Sequence, residues 1–269
     1  MLAAIAESYR AGEFMVASAS ALAFRRGERL FVELAADESE VREAQALRYR
    51  VFGEEMGARL QGAEQGLDCD DFDSVCQHLL VREPRSGQVV ACTRLLSDAN
   101  AERLGRFYSQ GEFDLGAIPA LPGRKLEVGR TCVAPDYRQG SAIAVLWSGL
   151  AGFIHLHRFD YLFGCASVPL GDQDLQAAAI MNRLRRQAFA PESLRVVPRL
   201  PLGASEVDPE ILDAPLPALL RAYVRLGARA CGEACRDPEF GVADVLMLLD
   251  VRELNPAYSR HFLERAGQR

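Results

Sequence analysis

The chain has 269 residues, with 31 Lys and Arg against 37 Asp and Glu, a formal net charge of −6 and 49% hydrophobic residues. That content supplies one substantial core and excludes a disordered chain, while the acidic balance argues against nucleic acid as a partner. Seven cysteines, with no C-x2-C pair, and four histidines argue against a zinc site and a disulfide framework and for small buried hydrophobes in a reducing, cytoplasmic compartment.

In chain order, residues 1–28 form an N-terminal segment expected to be loose, because Glu7, Arg10 and Glu13 interrupt what a signal peptide needs. "RLFVELA" (29–35) reads as a strand. In "DESEVREAQALRYRVFGEEMG" the residues Val41, Ala44, Leu47, Val51 and Phe52 recur at helical spacing behind acidic starters. A loop with the acidic run "DCDDFD" (68–73) leads to strands at 78–83 and 89–96, joined by "PRSGQ" as a hairpin. A glycine-punctuated segment precedes the strand "KLEVGRTCV" and its continuation to residue 134. The apolar helix 142–157, a strand at 161–168, a helix at 172–189 capped by Asp172, a helix at 216–230 and a strand at 242–251 complete the series. The longest apolar run, 142–154, is well short of the ~20 residues that span a bilayer. Membrane contact is therefore expected to be peripheral at most.

This order implies one α/β domain, 29–265, with a C-terminal elaboration from about residue 200. Within it, "KLEVGRTCV" poses a conflict of parity. Glu127 and Arg130 lie three residues apart, and a regular pleat turns them to opposite faces. A β-bulge at or near Gly129 would bring both to one cleft; the alternative is a structural ion pair. The turn "APDYRQGSAIAV" follows, in which Arg138, Gly140, Ser141 and Ala142 open an apolar helix whose free N–H groups suit a phosphate.

Other patterns carry competing readings. The run 68–73 is a solvated loop or a cation site, and it follows a helix with Arg48 and Arg50 beside Tyr49 and Phe52, a combination suited to a zwitterion. His155 and Asp160 stand in the H-x4-D spacing of glycerolipid acyltransferases, yet "FAPES" is a poor version of their downstream motif, and a histidine at a helix C-terminus is the ordinary reading. "NRLRRQ" (182–187) is either a docking surface for an acidic partner or anionic lipid, or a solvated helix face. There is no G-x-S-x-G, H-E-x-x-H, Walker or Rossmann signature.

The element order and "LEVGRTCVAPDYRQGSA" resemble the GNAT superfamily of N-acyltransferases, although R-x-G-x-A is one residue tighter than that family's loop. The resemblance implies a mixed central sheet with helices on both faces (α+β) and a bulged strand that holds phosphopantetheine. The series "LRYRVF", "DDFD", "HLL", "TRLL" and "LEVGRTCV" is similar to acyl-homoserine-lactone synthases, but "GARLQGAEQG" lacks their aromatic and the chain is longer. The sister family of L-ornithine Nα-acyltransferases, once grouped with hemolysin-like proteins, accommodates both features over roughly 30–263.

That resemblance implies attack of the α-amine of ornithine on a (3-hydroxy)acyl thioester of acyl carrier protein, the first step of ornithine-lipid synthesis. No permanently bound cofactor or metal is expected. Glu127 is then the general base and Arg130 its partner or the carboxylate ligand. Arg48, Phe52, Asp70, Asp73 and Arg94 correspond to the substrate site, with Asp70 and Asp73 holding the side-chain ammonium or organising Arg48 and Arg94. The N–H near Val133 donates to the oxyanion, and Arg138, Gly140, Ser141 and Ala142 seat the phosphopantetheine. A homoserine-lactone synthase and a non-catalytic, membrane-associated GNAT-like protein are the alternatives.

Overall fold

The structure is a computed structural model that describes residues 29–139, 141–203 and 214–254. The segment 1–28, Gly140 and the end of the chain from 255 lie outside the described residues. Strand β1 (Phe31–Leu34) leads into helix α1 (Glu38–Arg48). Asp37 starts that helix by accepting the N–H groups of Ser39 and Glu40 at 2.9 and 3.1 Å, while the Glu40 carboxylate reaches back to the N–H of Ala36. The helix continues as a wider π-helical segment, Tyr49–Glu55, whose buried side chains are Val51 and Phe52.

Strands β2 (Gln77–Arg82) and β3 (Val89–Ser97) form the expected hairpin. Helix α2 (Asp98–Leu104), β4 (Phe113–Asp114), β5 (Lys125–Val133), helix α3 (Ala142–His157) and β6 (Tyr161–Pro169) follow. Helix α4 (Leu175–Gln187), β7 (Val197–Pro198), helix α5 (Ala218–Leu226), β8 (Arg229–Ala230), β9 (Cys235–Asp237) and β10 (Val242–Asp250) complete the described chain.

The main sheet runs β1-β2-β3-β5-β6-β10-β8, with β9 also against β10. All its pairs are antiparallel except β5 with β6, so the sheet is mixed. Alternation along β2 sends Leu79 and Val81 to the α3 face with Leu146 and Phe153, and Leu80 to the α1 face with Ala44 and Leu47. Helices therefore cover both faces. At Gly149 of α3 an added Cβ would lie 2.5 Å from the Val32 side chain, so that side chain of β1 packs directly on the helix backbone. Strand β10, from beyond residue 200, pairs along the whole of β6.

Three local expectations need correction. Helix α4 begins at Leu175, and Asp172 does not cap it, because Gly171, Gln173 and Asp174 all take positive φ and carry the chain through a left-handed turn. Helix α5 stops at Leu226, since Gly227 at φ 108° ends it and Arg229–Ala230 pairs with β10 instead. The glycine-punctuated segment contains α2, whose N-cap Ser97 accepts from Asn100 and whose end is Gly105 at φ 85°.

Strands β5 and β6 pair only from Lys125–Tyr161 to Glu127–Phe163 and then part. At the point of parting a Cβ on Gly164 would sit 2.2 Å from the Val128 carbonyl oxygen, whereas nothing lies within 4 Å of one on Gly129. Gly164→Ala is expected to lose about 1–3 kcal/mol of stability through overpacking. Gly129→Ala should stay within about 0.5 kcal/mol. Urea-unfolding midpoints of the two variants measure the difference, and equal midpoints would contradict the close approach.

Candidate active site

The parity conflict at Glu127 and Arg130 is resolved by a bulge. Along β3 and β5, Cys92 faces Cys132 and Arg94 faces Gly129, leaving Thr93 opposite both Arg130 and Thr131. Thr93 Oγ1 bonds Thr131 Oγ1 at 2.7 Å and donates to the Gly129 carbonyl at 3.2 Å, which ties the bulge in place. The left-handed residue is Arg130 itself, φ 52°, rather than Gly129. Holding a non-glycine residue there costs on the order of 1–3 kcal/mol, so the surroundings must enforce it.

They do so through charge. Arg130 Nε donates to Asp68 at 3.1 Å and its Nη1 to the Tyr108 hydroxyl at 2.9 Å, while the guanidinium lies between the rings of Tyr108 (5.0 Å) and Phe240 (4.8 Å). Phe52 packs edge-on against Phe240, with centroids 5.5 Å apart. It thus acts as the support of a ring that touches Arg130.

Arg48, 1% exposed, donates to Asp68 at 2.8 Å and to Asp73 at 2.8 Å. Arg94 donates to Asp70 at 2.6 Å and to Asp73 at 3.0 Å. Asp73 also accepts from Gln45 and from the N–H of Asp70. Three arginines and three aspartates thus neutralise one another in a buried network. Burial pushes the Asp73 carboxyl up, but Arg48 and Arg94 outweigh it and hold the group well below the usual carboxylate range. His78, packed under Asp73, is pushed down to about 4, chiefly by burial and then by Arg48. Of the two readings of Asp70 and Asp73, the geometry supports the one in which they organise Arg48 and Arg94.

Glu127 is 2% exposed and accepts the N–H groups of Tyr108 and Ser109, each at 2.7 Å, together with the Ser109 hydroxyl. Burial raises its carboxyl above the ordinary glutamate value, opposed by the Ser109 and Tyr108 donors and by the charge of Arg94. Its neighbours are therefore Ser109 and Arg94, where an ion pair with Arg130 was the alternative expectation. Glu127 and Arg130 meet at Tyr108, one at its backbone and one at its hydroxyl.

The Ala134 N–H donates to Val90, so alternation turns the Val133 N–H away from β3, toward the edge where β6 has left. Where β5 and β6 begin to part, with Val128, Gly164 and Cys165 in its walls, lies a cavity of about 530 Å³. Val128, Trp147, Leu150, Leu162, Tyr223 and Met247 are among its walls. Trp147 stacks on Tyr223 at 5.3 Å, closing one side with α5.

The phosphate-site residues are less assembled. Arg138 is exposed, donating to the Val133 carbonyl at 3.1 Å and pairing with Glu55 at 2.5 and 2.6 Å. Ser141 precedes α3 with its hydroxyl exposed and not engaged as a cap, and Ala142 is buried and offers backbone only. His155 is exposed at the cavity rim, while the Asp160 carboxylate accepts the N–H of Arg124; the two do not share a site. In the basic run, Asn182 is buried and Arg185 pairs with Glu233 at 2.9 Å.

A family model for an acetyltransferase (GNAT) domain matches residues 47–148. The acyl-homoserine-lactone synthase LasI shares the fold, with a TM-score of 0.52 at 15% identity over 88% of this chain and 96% of that one. The chain is thus an acyltransferase of the GNAT class. Named relatives narrow the class. An L-ornithine N(alpha)-acyltransferase of Rhodobacter capsulatus is 36% identical over 253 residues, 88% of this chain and 96% of that protein. One of Rhizobium meliloti is 34% identical over 256 residues, 89% and 86% of the two chains. The chain belongs to the L-ornithine Nα-acyltransferase family.

Asp68 is one of four aspartates in the run 68–73, with no pattern that sets it apart, and Tyr108, Ser109 and Phe240 lie in stretches with no periodic signal. Asp73→Asn, which leaves Arg48 and Arg94 short of charge, is expected to cost about 3–5 kcal/mol. Because the folded-state value of Asp73 is depressed, its contribution is present above the unfolded value of about 3.9 and is lost as pH falls toward the folded one. Denaturation curves between pH 7 and 2 should show the gap between wild type and variant narrowing in acid.

Proposed function

We propose that the protein transfers a 3-hydroxyacyl chain from the phosphopantetheine thioester of acyl carrier protein to the α-amine of L-ornithine. The observation that carries this reading is the parting of β5 and β6 over an apolar cavity, in a chain whose relatives are named for that acceptor. The cavity lies within the usual ~300–1,000 Å³ of ligand sites, and its walls suit an acyl chain rather than a polar group. The Val133 N–H, facing the gap, is the donor to the thioester oxyanion. Arg138 is free to exchange its exposed pair with Glu55 for a phosphate, since such pairs are worth little in water. The N–H groups opening α3, from Ser141 and Ala142 with Gly140 before them, complete the phosphopantetheine seat.

Arg130 takes the ornithine carboxylate, with Arg48, Arg94, Asp70 and Asp73 fixing its position and Phe52 bracing Phe240. Glu127 accepts the proton of the α-ammonium, directly or through water; the amine then attacks the carbonyl carbon, the C–N bond forms, the C–S bond breaks and the thiol leaves protonated. Burial favours this role by raising the Glu127 carboxyl above the ordinary glutamate value. No resident cofactor is needed, because the phosphopantetheine arrives with its carrier. Among the described residues no helix is long and apolar enough to cross a membrane. We place the reaction in the cytoplasm at the inner face of the membrane, where a long-chain product would partition.

Acyl carrier protein charged with 3-hydroxypalmitate and incubated with ornithine should give Nα-acyl-ornithine by mass spectrometry, and Glu127→Gln should lower kcat about 10²–10⁴-fold. Formation of a lactone from S-adenosylmethionine, with no acyl-ornithine, would sink the proposal. Ser109→Ala removes a donor to the ionised Glu127 and so raises its pKa. The acidic limb of the kcat/KM profile should move to higher pH, and an unmoved limb would remove Glu127 from the base role. Ala151→Phe, filling the cavity, is expected to shift preference from sixteen-carbon toward eight-carbon donors, about tenfold or more.

A further inference from the structure

Glu127 is sealed from the space that it would serve as a base. Its Oε2 accepts the Tyr108 N–H and its Oε1 accepts the N–H and hydroxyl of Ser109, so one loop engages both oxygens. Glu127 is 2% exposed, Ser109 is fully buried, and neither stands in the wall of the cavity. A substrate there meets other groups first.

Cys165 does stand in that wall. It lies on β6 two residues beyond Phe163, the last partner of β5, where the strands have parted, and it is only partly buried. Its thiol donates to the Ser109 hydroxyl at 3.3 Å, and that hydroxyl donates to Glu127 Oε1. A chain of two donors therefore runs from the cavity wall to the carboxylate, each already pointed at Glu127. The sulfur keeps acceptor capacity for a donor on the cavity side.

Cys165 also borders a second group of carboxyls, Glu112, Asp237 and Asp244, whose oxygens approach one another within 4.8 Å. Burial foremost, then the charges of Glu112 and Asp244, raise the thiol well above its ordinary value; Glu127 adds to the shift and the Ser109 bond opposes it. At rest the thiol keeps its proton. A nucleophilic cysteine needs the opposite, a lowered value and a standing thiolate.

We infer that Cys165 and Ser109 form a proton relay, in which the Cys165 thiol meets the α-ammonium and the Ser109 hydroxyl passes the proton on to Glu127. The inference rests on the proposed reaction and replaces direct contact between amine and Glu127 with a route through two side chains. Cys165 Sγ receives the ammonium proton as Ser109 Oγ receives the thiol proton and Glu127 Oε1 receives the hydroxyl proton. Thiol and hydroxyl are thereby regenerated, and the free amine attacks. When the C–S bond breaks, a second nitrogen proton passes to the leaving thiolate. The proton on Glu127 returns along the chain in reverse order to water once product has left, and neither side chain has to turn in between.

The test uses the full chain with ornithine and 3-hydroxypalmitoyl acyl carrier protein. Cys165→Ala breaks the chain and should lower kcat about 10²–10⁴-fold with KM little changed. Cys165→Ser keeps a donor and an acceptor and should stay within about tenfold of wild type, with melting curves of both variants near the wild-type transition. Because relay and base act as one unit, adding Cys165→Ala to Glu127→Gln should slow the reaction no further. A full-rate Cys165→Ala overturns the relay, as does a serine variant as slow as the alanine one, or two losses that multiply. A slow Glu127→Gln keeps the base in place in each of those cases. If wild type forms no acyl-ornithine, the proposed reaction fails on that result alone, and infrared spectroscopy still judges the chain. The Cys165 S–H stretch, assigned by its loss in either Cys165 variant, should shift in Ser109→Ala and in Glu127→Gln; a band that neither moves overturns the relay.

Discussion

The mutual neutralisation of Arg48, Arg94 and Arg130 by Asp68, Asp70 and Asp73 is the constraint on which the site depends. Two of these arginines are at most 3% exposed, and an ion of that kind is tolerated inside a protein only when opposite charge and hydrogen bonds surround it. The network joins four separate pieces of chain: α1, the turn at 68–73, β3 and the bulge of β5. None of these can shift without exposing a charge to an apolar neighbour. Its geometry fixes Arg130 in a left-handed conformation that an isolated strand would reject, and the site inherits that rigidity.

The bulge and the parting of β5 from β6 are two consequences of one arrangement. An extra residue opposite Thr93 bends and twists β5 away from its parallel neighbour, and Gly164 allows the strands to cross at backbone distance before they separate. Parting frees an N–H at Val133 and opens the sheet to an apolar space that would otherwise be closed by the next ladder bond. The apolar cavity begins at that parting, with Val128, Gly164 and Cys165 in its walls, so the strand break and the cavity share one origin.

The strands and long helices were readable from period and punctuation because their apolar faces are fixed by burial. The identity of the strand carrying the site was readable too, since the parity of Glu127 and Arg130 is a local property of the pleat. Its exact break was not: glycine attracts the assignment by its freedom, whereas the residue that takes positive φ is Arg130, held by Asp68, which is 62 positions away in sequence. Tyr108 and Ser109 were invisible for the same reason. Their N–H groups matter because a loop without periodicity folds over Glu127, and nothing in that loop's composition records what lies beneath it. The commitment of Asp70 and Asp73 to arginines likewise emerges only when three distant segments meet.

The two charge clusters differ in balance, and that difference carries more information than the number of carboxylates in either. Asp68, Asp70 and Asp73 are fully answered from within the chain, so their energy goes into holding a shape. Glu112, Asp237 and Asp244 are answered by hydroxyl and backbone donors, by hydrogen bonding between Glu112 and Asp244, and by the field of Arg130. One buried set is thus balanced by guanidinium and the adjoining one by a proton that burial and like charge hold on Glu112, so the first ties distant segments together and the second does not.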